Sequence, residues 1–237
     1  MYNILVITSD KYLPCLRPMM YLLNKYWPEH PPCVIGGFKP PTFGLEAGFT
    51  FHSLGAMKDY PIQKWSDAFR KLVREHAEDV FVSLLEDMWP TRQVDARAVD
   101  ILANYARQFK YVARIDLTGD RLYAHGMRDY GSVAHLDLIQ SLPGSPYHLS
   151  FMAGIWRKEH FLRVIQPNWT PWDCEILGTP ALSFMRDVIV LGTRQWPYRH
   201  LLALRGGESQ KLLLAGMQQV DRDELTALGY LQHWGIG

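Results

Sequence analysis

The stretch that most constrains this 237-residue chain is Asp79-Val80-Phe81-Val82-Ser83-Leu84-Leu85-Glu86-Asp87-Met88-Trp89-Pro90. Its apolar run, Val80 to Leu85, ends abruptly in two carboxylates. A short continuous apolar run bounded by polar residues suits a strand buried on both faces. Such strands belong to helix-covered parallel sheets, which bind ligands just outside the carboxyl ends of their strands. Two acids at that edge could hold a divalent cation and, through it, phosphate oxygens. An ordinary strand end with solvated acids, or a helix N-terminus, would read the same way. Adjacent strand residues point to opposite faces, so both acids reach one cation only if the chain twists at the strand end. Asp87 is the better ligand, and Glu86 is suited to orienting a neighbour.

The flanking pattern extends this into an α/β chain. Asn3 to Thr8 reads as a buried first strand, with Thr8-Ser9-Asp10 at its carboxyl end. Segment 14–27 has helical spacing, with Leu16, Met20, Leu23 and Trp27 apolar; Pro18 suits its first turn and Pro28 stops it. Residues 32–38 and 49–54 predict two further strands. Helices are expected over 65–76 and over 96–108, the latter with Asp95 as N-cap and Val94 and Val99 as a hydrophobic staple. Tyr111 to Leu117 is another strand, delivering Asp116 near its end. Region 118–147 reads mostly as loop with a short strand near 133–139, and a loop that long inside a domain is often functional. A strand over 149–156, a helix over 158–165, a helix start near 171–176 and a strand over 188–191 follow. A turn at Arg205-Gly206-Gly207 and a last helix over 221–228, with Asp221 and Glu224 at capping-box spacing, complete the pattern.

No composition shift or linker divides the chain, so residues 1–237 are expected to form one domain with a C-terminal helical extension from about 206. A net charge of +1 makes no general case for a nucleic-acid or membrane partner. Cys15, Cys33 and Cys174 lie far apart without a CxxC, so neither a disulfide framework nor a zinc site is expected, and a cytoplasmic location is the natural reading. The N-terminus lacks a basic leader with a long apolar core, and no run approaches the roughly twenty apolar residues of a membrane span.

Three strand-end or helix-start groups could carry chemistry. Asp10 could accept hydrogen bonds from a base or ribose, or simply end a turn. The absence of G-x-G-x-x-G or a P-loop near it argues against a dinucleotide site or an NTPase. Glu86 and Asp87 form the second group. In the third, Trp172-Asp173-Cys174-Glu175, an acid at a helix start could serve as a general base, while Asp173 could equally be a cap. Isolated histidines such as His125, His135 and His148 lack metal-ligand spacing to one another. Arg107, Lys110, Arg114, Arg121 and Arg128 could neutralise a diphosphate or hold DNA phosphates, or merely solubilise the surface.

In this order the parts resemble the GT-A-fold glycosyltransferases of the nucleotide-diphospho-sugar transferase superfamily, over about residues 3–210. Ile4-Leu5-Val6-Ile7-Thr8-Ser9-Asp10 resembles the first strand and nucleotide-binding turn. Phe81-Val82-Ser83-Leu84-Leu85-Glu86-Asp87 resembles the strand carrying the acidic metal motif, although that motif is usually Asp-x-Asp. Gly154-Ile155-Trp156 and Thr170-Pro171-Trp172-Asp173-Cys174-Glu175 resemble the acceptor strand and the later helix whose acid is the base in inverting members. Small bacterial and phage-borne members with a Trp-x-x-Glu pattern are the nearest in kind.

The resemblance implies a GT-A-like, Rossmann-like three-layer sandwich with a mostly parallel central sheet. It implies transfer of a sugar from a nucleotide-sugar donor such as a UDP-sugar, with inversion, assisted by Mn²⁺ or Mg²⁺. It places Asp87 at the metal, Glu86 beside it, and Thr8, Ser9 and Asp10 at the nucleoside. Lys64 and Arg205 would meet the diphosphate, and Trp65 would wall the donor. Gly154, Trp156 and Trp172 would sit at the acceptor, with Asp173 or Glu175 as base. The acceptor would be a glycan hydroxyl or a hydroxymethylated pyrimidine in phage DNA. A non-catalytic nucleotide- or glycan-binding module is the alternative. A nucleotidyltransferase ranks lower, because residues 8–18 offer only Lys11 and Arg17 where a Gly/Arg/Lys-rich loop would stand.

Overall fold

The computed structural model describes residues 2–204 and 212–236. The elements run β1 (Asn3–Ile7), α1 (Leu16–Tyr26), β2 (Cys33–Gly37), β3 (Phe49–Ser53), α2 (Trp65–His76), β4 (Val80–Leu85), β5 (Met88–Pro90), α3 (Ala96–Gln108) and β6 (Val112–Asp116). They continue with α4 (Asp120–Tyr123), β7 (Met127–Val133), β8 (Leu136–Ser141), β9 (Gly154–Arg157), α5 (Lys158–Val164), α6 (Pro171–Ile176), α7 (Gly178–Phe184), β10 (Ile189–Thr193), β11 (His200–Leu202) and α8 (Gln219–Ala227).

Among the described residues the main sheet has nine strands in the order β3-β2-β1-β4-β9-β6-β10-β8-β7. Strands β3, β2, β1 and β4 pair in parallel, and β10 pairs in parallel with β6. Strand β9 lies antiparallel between β4 and β6, and β8 runs antiparallel to both β10 and β7. All strands but β9 and β8 therefore point the same way, which is the mostly parallel sandwich expected.

The two faces of the sheet carry different helices. Ile4 and Val6 of β1 join Leu16, Met19, Leu23, Val99 and Leu102 in one core, while Leu5 and Ile7 join Phe69, Leu72, Val73 and Phe161 in the other. The continuous apolar runs of β1 and β4 are thus explained: alternate residues feed opposite layers, and each fully buried aliphatic side chain contributes about 1.5–3 kcal/mol. Burial at Gly36 shows how tightly α2 seats, since a Cβ there would lie 2.7 Å from Leu72 Cδ2. Asp95 caps α3 by accepting from Ala98 N–H at 2.9 Å.

Three expectations need correction. The 118–147 region is not mostly loop: it holds α4 and the β7–β8 hairpin, which turns through Ala134 at φ 51°. Asp221 and Glu224 do not form a capping box. Lys25 Nζ meets Asp221 Oδ1 at 2.8 Å, Tyr26 Oη donates to Asp221 Oδ1 and Oδ2 at 2.8 Å, and Tyr21 Oη donates to Glu224 at 3.0 Å. These acids fasten α8 to α1 instead. The segment before α1 is a separate 3₁₀ turn, Asp10–Cys15. The turn expected at 205–207 lies outside the described residues.

Candidate active site

The connections from β1 and β4 leave in opposite directions, β1 toward β2 and β4 toward β6. Their shared carboxyl edge is a topological switch point, the place where open α/β sheets receive ligands. The sequence delivers Thr8-Ser9-Asp10 and Glu86-Asp87 there.

Glu86 and Asp87 form the turn between β4 and β5. The turn is braced by its neighbours: Trp89 Nε1 donates to the Glu86 carbonyl at 3.1 Å, Ala203 N–H to the Asp87 carbonyl at 2.8 Å, and Tyr198 Oη to the Met88 carbonyl at 2.9 Å. Strand β5 leaves the main sheet and pairs with β11 in a two-stranded ribbon. This turn supplies the change of direction that two adjacent acids need if they are to act together. Burial, then the Asp87 charge, pushes the Glu86 carboxyl well above its ordinary value. Burial likewise pushes Asp87 up to about 6. Both charges also act on the nearby Cys15 thiol, which burial raises first. Among the described residues neither carboxylate forms an ion pair. A buried and a half-buried acid side by side with no cation are costly to ionise unless one arrives. Paired carboxylate oxygens suit Mg²⁺ or Mn²⁺ completed by substrate phosphates.

Asp10 projects from the end of β1. Its Oδ1 accepts from Lys39 N–H at 3.0 Å, and Lys39 Nζ lies 3.8 Å from Oδ2. It stands between two clefts. One, of about 370 Å³, is lined by Arg17, Phe43 and Tyr230, with the Arg17 guanidinium 4.3 Å from the Tyr230 ring centre. The other, of about 570 Å³, is lined by Phe38, Lys39 and Lys58. Thr8 is buried and Ser9 begins the 3₁₀ turn. Lys64 is exposed at the entrance to α2.

The aromatic residues separate by burial. Trp156 has no exposed surface and packs against Phe161, so its ring belongs to the core and does not face an acceptor. Trp65 is half-buried against Phe69 and Phe151. Trp172 is exposed. Gly154 answers to packing: a Cβ there would lie 2.9 Å from Arg114 Nη2. Arg205 lies outside the described residues.

The two acids of α6 also differ. Asp173 is engaged with the helix start: its Oδ2 accepts from Thr170 N–H at 3.1 Å and from Thr170 Oγ1 at 2.8 Å, and Asp173 N–H donates to Thr170 Oγ1 at 3.0 Å. This is the capping box at its full extent. Glu175 Oε1 accepts from Phe151 N–H at 2.8 Å, and burial raises its pKa against the pull of that bond and of Arg114.

The end of β6 holds a network whose members Asp116, Arg114, Arg121 and His148 the sequence offered singly, with no sign that they meet. Asp116 Oδ2 meets Arg114 Nη1 at 3.2 Å and Arg121 Nε at 3.6 Å, while Oδ1 accepts from Thr118 N–H at 2.8 Å and Thr118 Oγ1 at 2.7 Å. Ser141 Oγ joins Arg121 Nη1 at 3.1 Å to His148 Nδ1 at 2.9 Å, and burial with the two guanidinium charges lowers His148 to about 4. Arg114 and Arg121 are therefore core and not free to meet phosphate. Arg128 is bonded to Gln140, and Arg107 lines a different cleft with Tyr2 and Asp100, so these groups do not make one basic face.

Beside this network opens a cleft of about 430 Å³ lined by Arg92, Gly119, Asp120, Tyr123, Trp196 and Arg199. Trp196 sits at φ 51°, and its ring lies 2.1 Å from where a Gly119 Cβ would be, so only glycine admits it. Tyr123 meets Trp196 edge-on at 5.6 Å, and the Arg199 guanidinium lies 4.8 Å from the indole centre. The run Trp196-Pro197-Tyr198-Arg199-His200 was the available signal for this cleft.

Fold and site together define an α/β sandwich with acids gathered at the ligand-receiving edge of its sheet. No family model matches the chain, and no curated protein matches it in sequence. Among solved structures, CMP:2-keto-3-deoxy-manno-octonic acid synthetase in complex with CTP is similar over 81% of this chain and 89% of its own, at 12% identity and a TM-score of 0.45. A likeness at that level concerns backbone layout and says nothing of activity. Among the described residues no helix is long and apolar enough to cross a membrane.

Proposed function

We propose that this protein transfers a sugar from a nucleotide-sugar donor to a hydroxyl acceptor at the carboxyl edge of its sheet. The observation that carries this reading is the Glu86–Asp87 turn, one buried and one half-buried carboxylate without an ion-pair partner among the described residues. Asp87, seconded by Glu86, would hold Mn²⁺ or Mg²⁺. When bound, such an ion stabilises charge on a departing diphosphate. Thr8, Ser9 and Asp10 hold the nucleoside, and Lys39 and Lys58 in the adjoining cleft attract phosphate. Lys64 and Arg205 remain candidates for the diphosphate, and Trp65 for the donor wall.

Glu175 serves as the base that takes the acceptor proton. Burial favours its protonated form, which gives it a stronger proton affinity than a solvated carboxylate. Asp173 holds the helix that carries it. The acceptor occupies the cleft walled by Tyr123 and Trp196, with Trp172 at the surface. Aromatic faces beside polar groups suit a glycan, and the dispersal of Arg107, Arg121 and Arg128 favours that acceptor over DNA.

The first experiment is thermal-shift screening with UDP-, GDP-, CMP- and dTDP-sugars, with and without Mn²⁺. Stabilisation by one nucleotide class, strengthened by Mn²⁺ and lost in Asp87→Ala, is expected. No shift with any nucleotide sugar would overturn the donor reading. Nucleotide binding without hydrolysis or transfer would favour a binding module.

A further inference from the structure

Away from the acids of β1 and β4, one cluster has the composition of a metal site. His52 stands on β3, and Glu75 and His76 end α2. The parallel register sets His52 beside Gly36, the position against which Leu72 of α2 packs, so the imidazole faces the helix. His52 Nε2 lies 2.9 Å from Glu75 Oε2, and the two imidazole centres are 4.1 Å apart at 60°. One ligand atom from each of the three residues lies within 4.8 Å of the others, and among the described residues no other such trio occurs. A second observation points to a ligand: His76 Nε2 is buried and has no hydrogen-bond partner. Buried ring nitrogens are seldom left unpaired.

We propose that His52, Glu75 and His76 bind a transition-metal dication of the zinc type. A tetrahedral ion with bonds of about 2.0–2.1 Å holds its ligands about 3.4 Å apart, which small side-chain rotations reach from the present spacing. Two imidazoles and one carboxylate, with a fourth position open to water because Glu75 is exposed, match a three-ligand site. The surrounding cations are Lys71, 2.8 Å from Glu75 Oε2, and Lys158, which is occupied by the Arg74 and Ala77 carbonyls. Lys71 must yield its share of Glu75 when the ion enters. The nitrogen donors select Zn²⁺, Ni²⁺ or Co²⁺ over Mg²⁺ or Mn²⁺, which separates this site from the all-oxygen pair at Glu86 and Asp87. Bound there, the ion would fasten edge strand β3, hydrogen-bonded only to β2 in the sheet, to the end of α2.

The test uses the tag-free full-length chain without nucleotide. Calorimetry with ZnCl₂ and visible absorption with CoCl₂ are expected to give one saturable site and a tetrahedral cobalt band. His52→Gln and Glu75→Gln should each weaken zinc at least about tenfold, near 1.4 kcal/mol, while folding normally by circular dichroism. Asp87→Asn should leave zinc binding unchanged, and Glu75→Gln should leave the Mn²⁺ response to nucleotide sugars unchanged. Undiminished zinc binding in both Gln variants would overturn the proposal. So would loss only in Asp87→Asn, or no saturable zinc or cobalt binding in the parent chain.

Discussion

Two neighbouring parts of the sheet edge bury carboxylates and treat them oppositely. Asp116, the last residue of β6, has no exposed surface and meets two guanidinium groups, a backbone amide and a hydroxyl. Glu86 and Asp87, past β4, are also withdrawn from water, yet no cation among the described residues answers them. The first answers its charge within the chain and belongs to stability, although Arg114 Nε and Arg121 Nε are buried without a hydrogen-bond partner among the described residues. The second leaves its charge unanswered among the described residues, as the proposed metal role requires. Burial alone does not tell a structural acid from a functional one; the accounting of partners does.

Breaking the first region should have the largest effect. Asp116→Ala strands the Arg114 and Arg121 charges in the core and should cost about 3–5 kcal/mol, read as a lower denaturant midpoint or as failure to fold. Asp87→Asn should do the reverse: metal-stimulated turnover of the nucleotide sugar falls by about a hundredfold or more, on the scale of losing one main electrostatic stabiliser. Stability at neutral pH should hold or rise, because one of two repelling charges is gone. Equal loss of stability in both variants would erase the distinction between the regions.

A pH series sharpens it further. Asp87 is held at about 6 against an ordinary 3.8, so the folded protein keeps a proton that the unfolded chain releases across that window. Metal-free stability should therefore fall as pH rises from about 4 through about 6, and the raised Glu86 carboxyl carries the fall further. Mn²⁺ should recover the loss, and Asp87→Asn should remove the part of the fall between about 4 and about 6; melting temperatures against pH check both. The smallest effect separates the α6 acids. Asp173→Asn should cost about 1 kcal/mol as a weakened cap with turnover retained, whereas Glu175→Gln should lose turnover and keep donor binding.

How much was legible follows from burial. Strand β4 and helices α2 and α3 fall where their apolar periodicity places them, because each packs a continuous face against the sheet. Strand β7 escaped because it lies at the sheet edge and carries Met127-Arg128-Asp129-Tyr130-Gly131-Ser132-Val133, with no apolar run. Strand-end acids were legible as positions, since an apolar run must stop somewhere. Their partners were not. Nothing adjacent in sequence says that Asp116 meets Arg121, whereas the Thr170–Asp173 spacing already allowed a cap. The Tyr123–Trp196 cleft joins residues far apart in the chain, and Trp156 could not be told from a surface tryptophan by its letter alone.

The ribbon between β5 and β11 carries a consequence in time. Ala203 N–H holds the Asp87 carbonyl, and Leu201 lies opposite Trp89. A ribosome releases residues 80–90 long before it makes residues 200–203. Strand β4 can pair with β1 early, but the turn bearing its two acids stays unclasped until the chain is nearly finished. A nascent chain can thus set β4 beside β1 before anything clasps the Glu86–Asp87 turn, and termination short of His200 would lose that clasp together with the Leu201, Leu225 and Leu231 share of the core.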